Sequence, residues 1–460
     1  MRHDAVVIGS GLGGLLGAAF LAKRGYRPLV LERLIFYGGR FTSFNYKGYE
    51  IPTGALHTLP GGSSGHIAAA LMRVGVEIKI VEPDEPLVLY YRGERYSLLR
   101  RGSGRYPRPG SFMYRCLNPL EFYQTVRVAY DLLIRRIEVP DVILKEFCYR
   151  YFQGSKILNL IDKIVTFSNG VSIGESSATD VVAAMLSMIR TNHFEGIIEG
   201  GCKRLTQSLV EVIKGNGGRL RKRTLAEKID VKKGKAVGVV TRSGDYYPAE
   251  VVLSNAGPSE TSRLLGDSSP SWLSEKVVSM KPAYGISFSI ATPRPLLDHK
   301  GIEIPVEAEK IAGYIQATNS SPSLAPRGGH LLLAYQRIGP ESVEREIDEG
   351  IAELKRLFPS VGKEDIINVS VFRGGWAAAR TAQSYGQVGR NRYPILVGEI
   401  ENLYTVSHDS VGSGFAAEVI GEAAMNFDDL LAGRPRKGVG VGEDRLVSQS
   451  GPHREAAPLS

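Results

Sequence analysis

The stretch Ala5-Val-Val-Ile-Gly-Ser-Gly-Leu-Gly-Gly-Leu-Leu-Gly-Ala-Ala-Phe-Leu-Ala22 contains no charged side chain. Three structures compete for it. A membrane-spanning helix needs about 20 apolar residues, and Gly9, Gly13 and Gly17 have the spacing of a small-residue packing face in lipid. A signal peptide opens on a basic segment, and Asp4 in Met1-Arg2-His3-Asp4 works against one. The third structure, strand then turn then helix, explains the order of the residues. Ala5 to Ile8 suits a buried parallel strand. Gly9-Ser10-Gly11-Leu12-Gly13-Gly14 matches G-x-G-x-x-G. Leu12, Leu15, Leu16, Ala19 and Ala22 then recur at helical spacing as far as Lys23-Arg24-Gly25, a helix stop. A second apolar run, Leu29-Val30-Leu31, closes on Glu32.

That order predicts a cradle for a dinucleotide. Gly9 permits the tight turn, Gly11 lets the backbone approach a pyrophosphate, and Gly14 lets the helix lie close on the strand. The free N–H groups and the dipole at the helix start, around Leu12 and Gly13, hold phosphate charge. Glu32, about 20 residues on, is placed to accept from ribose hydroxyls.

Composition is that of a globular enzyme. At 460 residues the chain holds two or more domains, and 43% hydrophobic with 23% charged residues is ordinary usage. Cys116, Cys148 and Cys202 have neither paired nor metal-like spacing, which predicts free thiols in a reducing compartment and no metal site. A net charge of +9 favours anionic partners. There is no nucleophile elbow, Walker sequence or His/Cys cluster, so the chemistry falls to the bound dinucleotide.

After Glu32 come Arg33-Leu-Ile-Phe-Tyr-Gly38-Gly39-Arg40 and Gly48-Tyr-Glu-Ile-Pro-Thr-Gly54. With an acid followed by Gly-Gly-Arg, the sequence resembles the flavin amine oxidase superfamily, and within it the phytoene desaturases and the carotenoid and retinoid saturases. The resemblance implies an α/β fold: a Rossmann-like FAD-binding domain of amine oxidase type with an inserted mixed α+β substrate domain. It implies FAD as the cofactor, with Gly39 and Arg40 around its pyrophosphate and Arg33 among the cofactor-binding residues. Two glycines beside a guanidinium fork also suit phosphate on physical grounds. Gly200-Gly201-Cys-Lys-Arg-Leu205 and the strands after it are similar to the family's second FAD segment, with Ala226 at the adenine. Leu403-Tyr-Thr-Val-Ser-His-Asp-Ser-Val-Gly-Ser-Gly414 resembles the last one, which implies contacts from Asp409 and Gly414. Two departures stand out: Pro52-Thr53-Gly54 where the family has Asp-x-Gly, and Ser407-His408-Asp409 where it has Gly-Asp.

The FAD segments divide the chain. Residues 1–72, 195–258 and 381–431 form the discontinuous FAD-binding domain, 73–194 and 259–380 the substrate domain, and 432–460 a disordered tail too polar to bury a core. Ile157, Leu158, Leu160, Ile161, Ile164, Val165 and Phe167 suit a helical core, in the region where the related enzymes enclose an isoprenoid chain. From Arg95 to Pro119 there are six arginines and no acid, with Tyr96, Tyr106, Phe112 and Tyr114 interleaved. This reads either as a solvated loop or as one that touches an anionic membrane. Nothing else supports nucleic acid as a partner.

The expected activity is FAD-dependent addition or removal of hydrogen across C–C bonds of an isoprenoid or carotenoid-type lipid. An external electron donor or acceptor completes the cycle, in the cytoplasm and at a membrane surface. Alternatives are a flavin amine oxidase acting on a C–N bond, a redox-neutral flavin isomerase, and a non-catalytic dinucleotide-binding module. No catalytic residue is assigned. His57 is the candidate proton donor, with Tyr385 and His408 behind it, and a structural histidine is the commoner outcome.

Overall fold

The computed structural model describes residues 3–99, 111–373, 384–414 and 417–433. The expected tail beyond 433, and Arg100, Arg101, Arg105 and Arg108 of the arginine-rich loop, lie outside the described residues. The opening stretch folds as the strand Ala5–Ile8 and the 12-residue helix Leu12–Lys23. Among the described residues no helix is long and apolar enough to cross a membrane.

Ala5–Ile8 is the central strand of a five-stranded sheet. The order is Arg219–Arg221, Pro28–Leu31, Ala5–Ile8, Val251–Ser254, Leu403–Thr405, and every pairing is parallel. A parallel sheet is covered on both faces, which is why this strand shows no polar alternation. Ala5 and Val7 pack with Leu15, Leu16, Leu205 and Phe427 on one side. Val6 and Ile8 pack with Ala226, Ile229 and Leu264 on the other. The first side is the helix Leu12–Lys23 held between Gly201–Gly215 and Ala417–Leu431. The second is a three-stranded antiparallel meander that begins with Ala226–Lys232.

A seven-stranded mixed sheet forms the other half, ordered Ile366–Phe372, Gly285–Thr292, His330–Arg337, Ile311–Gln316, Ile302–Pro305, Leu87–Tyr91, Glu94–Leu99. One face carries Ile286, Phe288 and Leu332 against Leu354 of the helix Val343–Leu357. The opposite face carries Leu331, Leu333 and Tyr335 against Ile164 and Phe167 of the helix Ser155–Asn169. The division expected at residue 258 falls elsewhere. Leu264, Leu265 and Leu273 join the cluster of Val6 and Ile8, so the helices Pro258–Leu265 and Ser271–Ser279 complete the cofactor half. The chain crosses after them, ahead of Gly285.

Candidate active site

A cleft of about 590 Å³ lies at the carboxyl ends of the parallel strands. Its floor is the glycine turn. Gly9 has φ +87°, a backbone state open to glycine. A Cβ on Gly14 would sit 2.1 Å from the Gly9 carbonyl oxygen, so Gly14 keeps the helix on its strand and does not itself line the cleft. Gly9, Gly11, Leu12 and Gly13 do line it. The first bond of the helix runs from Leu15 N to the Gly11 carbonyl at 2.9 Å. The amides of Leu12 to Gly14 precede that ladder, with no side-chain cap and no acid in the first turn. Such a helix start offers donors and a positive dipole end to an anion. Gly11 has a further reason to be glycine: a Cβ there would meet Asn255 Oδ1 at 2.4 Å. Asn255 is itself fixed by donating to the Val406 carbonyl at 2.6 Å.

Glu32 ends the next strand, buried at the rim. Its carboxylate accepts from Ser10 N at 2.8 Å, Ser10 Oγ at 2.6 Å and Leu34 N at 2.8 Å, so the group expected to take ribose hydroxyls is oriented beforehand by the turn. The Gly-Gly-Arg segment crosses the same turn. Gly38 and Gly39 have φ +104° and +56°, and Gly38 N donates to the Ser10 carbonyl at 2.9 Å. Arg33, Gly39 and Arg40 all line the cleft. At the departure Pro52-Thr53-Gly54, the Thr53 hydroxyl donates to the Gly39 carbonyl at 2.8 Å and so secures the loop that presents Arg40.

The far segments meet here. Ala226 opens its strand at the cleft wall, and Ser407, His408 and Asp409 line the opposite end. Asp409 is buried, and its N–H donates to Ser407 Oγ at 3.1 Å. Gly414 lies outside the lining: its φ is +94° and a Cβ there would meet Glu418 Cβ at 2.8 Å. It serves the turn into the last helix. Sequence reasoning missed Ser10, Asn255 and Arg392. Arg392 is buried, donates to the His408 carbonyl at 2.9 Å, and has its pKa drawn below the ordinary arginine value by that burial. A GRNRYP segment offers no signal for this role.

A second cavity, of about 170 Å³, shares Arg40, Phe41, His408 and Ile420 with the cleft. Leu56 comes to it from the cofactor half, Tyr335 and Phe372 from the seven-stranded sheet, and Phe167 and Met188 from the inserted helices. Beside the shared Arg40 and His408, its polar lining is Glu195, Ser168 and Thr58.

His57 is not a proton donor to either space. It is fully buried, it lines neither cavity, and backbone groups engage both its ring nitrogens. Nδ1 accepts from Cys202 N at 3.1 Å, and Nε2 lies 2.9 Å from the Glu50 carbonyl. Nδ1 must therefore be the bare nitrogen and Nε2 the protonated one. Burial pushes the His57 pKa down to about 4. Tyr385 is also elsewhere, its hydroxyl donating to the Asp141 carbonyl at 2.9 Å. Of the three candidates, only His408 stands where cleft and cavity join. All three cysteines are free thiols, and burial pushes Cys148 up to about 12. Among the described residues no group of side chains is arranged to hold a metal.

A helix start, a ribose acceptor and arginines along one cleft, with a small second cavity beside it, match the donor set that FAD requires. The arrangement defines an FAD-dependent oxidoreductase. Residues 12–416 match the model of the flavin containing amine oxidoreductase family, and the chain belongs to that family. It is 29% identical over 374 residues to an uncharacterized protein of Methanocaldococcus jannaschii, covering 80% of this chain and 86% of that one. It is 23% identical to a chloroplastic prolycopene isomerase of Daucus carota, over 78% of this chain and 67% of the relative. A phytoene desaturase of Cercospora nicotianae is 28% identical over 55% of this chain, and the match spans only 45% of that protein's length. An oxidoreductase from Methanosarcina mazei superposes with a TM-score of 0.80 at 26% identity, covering 92% of this chain and 99% of the other. Putrescine oxidase shares the fold at a TM-score of 0.69 and 16% identity over 94% of this chain and 99% of its own.

Proposed function

We propose that this protein adds or removes hydrogen across a carbon–carbon bond of an isoprenoid or carotenoid-type lipid whose reacting segment occupies the 170 Å³ cavity. The observation that carries the reading is that this cavity abuts the cofactor cleft, with Arg40, Phe41, His408 and Ile420 in the walls of both. Bound FAD supplies two-electron hydride chemistry. The chain does the rest. The helix start and Arg40 would hold the pyrophosphate and Glu32 the ribose, with Arg33 beside it in the cleft lining. Phe167, Met188, Tyr335 and Phe372 hold the apolar segment and keep water from it. The cavity is smaller than the roughly 300–1,000 Å³ of sites that enclose a drug-sized ligand, so a long polyene enters by one end.

Removal of hydrogen takes a hydride and a proton from the lipid and needs an external acceptor to restore the flavin; addition runs the other way with an external donor. Redox-neutral isomerisation of the same lipid class is the second reading, favoured by the prolycopene isomerase among the relatives. We also propose that the lipid is drawn from an anionic membrane surface on the cytoplasmic side. The net charge of +9 and the free thiols support this part. The test is product mass after anaerobic incubation of the FAD-loaded protein with isoprenoid polyenes in detergent. A change of two hydrogens is expected. An unchanged mass with altered double-bond geometry selects isomerisation, and no conversion in either flavin state rejects both readings.

A further inference from the structure

The helix Pro119–Leu133 packs inward through Val128 and Leu132 but carries a second apolar face that points outward. Its buried residues are Glu121, Gln124 and Asp131, while Leu120, Tyr123, Val126, Tyr130 and Leu133 are 41–60% exposed and Ile134, just beyond its end, is 67% exposed. Those positions recur at three- and four-residue steps, which is one helical face, and such a face ordinarily points to the core. This orientation is fastened from within. Glu121 closes a capping box with Asn118 and accepts from Lys156 Nζ at 3.4 Å. Asp131 accepts from the Tyr151 hydroxyl and from Arg135, each at 3.1 Å. Rolling the apolar face inward would break these bonds and expose their partners. Tyr114, on the short helix Phe112–Cys116, extends the patch, its ring 5.1 Å from that of Phe122.

We infer that this face docks onto the surface of an anionic lipid bilayer. Three tyrosines give it rings with a polar tip, which settle at the boundary between hydrocarbon and headgroup. The acids of the helix are turned into the protein, Arg115 and Arg135 are paired with Glu94 and Asp131, and Arg127 and Arg136 are exposed beside the face, where they complement anionic headgroups. A second copy of the chain fits less well. Two-fold pairing about the middle of the helix brings Arg127 against its own counterpart, and like charges apposed at an interface repel. The face is also tied to the cavity. The helix Ser155–Asn169 meets it through Lys156, which donates to the Cys116 carbonyl at 2.7 Å, and lines the cavity with Phe167 and Ser168. These points are about 16 Å apart along the helix. The inference rests on the membrane part of the proposed function and names the surface that performs it.

Co-sedimentation of the full FAD-loaded chain with phosphatidylcholine vesicles, with and without phosphatidylserine, tests it in the absence of substrate. The expected result is salt-sensitive binding to the phosphatidylserine vesicles, reduced ~10-fold or more in Leu120→Ser/Tyr123→Ser/Tyr130→Ser. Flavin absorbance should be unchanged in that variant, which reports an intact fold. Arg127→Gln/Arg136→Gln should lose the preference for phosphatidylserine while keeping the flavin. No vesicle binding by the wild-type chain overturns the inference, as does equal binding by the triple-serine variant. A wild-type dimer that the serine substitutions convert to monomer assigns the face to a second copy and likewise overturns it. Conversion of detergent-dispersed lipid is unaffected by any of these outcomes, so the proposed reaction stands or falls separately.

Discussion

The cofactor cleft and the apolar cavity share four residues and are built by opposite means. The cleft is mostly backbone: a helix start with no side-chain cap, glycines that admit close approach, and one carboxylate held by Ser10. The cavity is almost wholly side chains, brought together from the segment around residue 56, two inserted helices and three strands of the second sheet. Backbone sites impose glycines at fixed intervals, and side-chain sites ask only for bulk and apolarity. Substitution should therefore be unforgiving in the cleft and graded in the cavity.

The largest effect is expected from His57, which sits in the cofactor half as a structural member. Its pKa is about 4 in the folded protein against 6.5 ordinarily, so between these values the unfolded chain binds a proton that the folded one refuses. The His57 contribution is intact above pH 6.5 and is lost as pH falls toward 4, at about 1.4 kcal/mol per pH unit, or about 3 kcal/mol in all. Urea unfolding across that range should show this decline in the wild type and a flatter one in His57→Asn, since asparagine tolerates the positive φ. Equal slopes would mean the ring is not held neutral.

Gly14→Ala comes next. Its methyl would meet a backbone oxygen that cannot step aside, for a loss of about 2–3 kcal/mol in unfolding free energy together with loss of flavin on gel filtration. Gly215→Ala, with nothing within 4 Å of the new methyl, should be near neutral. Glu32→Gln should weaken FAD roughly 30-fold, about 2 kcal/mol for a charge-assisted hydrogen bond, as read by equilibrium dialysis with the lipid KM unchanged. The cavity variant Met188→Gln should do the converse, raising the lipid KM by about tenfold and leaving flavin absorbance as it was. If Met188→Gln released flavin, or Glu32→Gln changed the KM instead of FAD affinity, the two regions would not be separable in this way.

The same contrast explains what the sequence disclosed. Gly9 to Glu32 and Gly38 to Arg40 were readable because each residue answers to a local geometric demand within one contiguous run. Ser407 to Asp409 was readable through resemblance, and the structure puts all three in the cleft. Gly414, by contrast, serves a turn against Glu418; a glycine that admits a ligand and one that admits a neighbouring side chain look alike in sequence. His57 misled for a related reason. A histidine near the cofactor is identical on paper whether its nitrogens face a ligand or, as here, two backbone groups. The outward apolar face of Pro119–Leu133 was hidden because periodicity reveals that a helix has an apolar face but not which way that face turns.

The most direct measurement of the central claim is anaerobic stopped-flow absorbance of the FAD-loaded protein. Oxidised or prereduced enzyme would be mixed with an isoprenoid polyene in detergent and, separately, with a primary amine. The account predicts a flavin absorbance change with the polyene, in one of the two starting states, at a rate that Met188→Gln lowers at subsaturating lipid, and no change with the amine. Bleaching of the oxidised flavin by the amine, with the polyene inert in both states, would contradict it and make the protein an oxidase of C–N bonds.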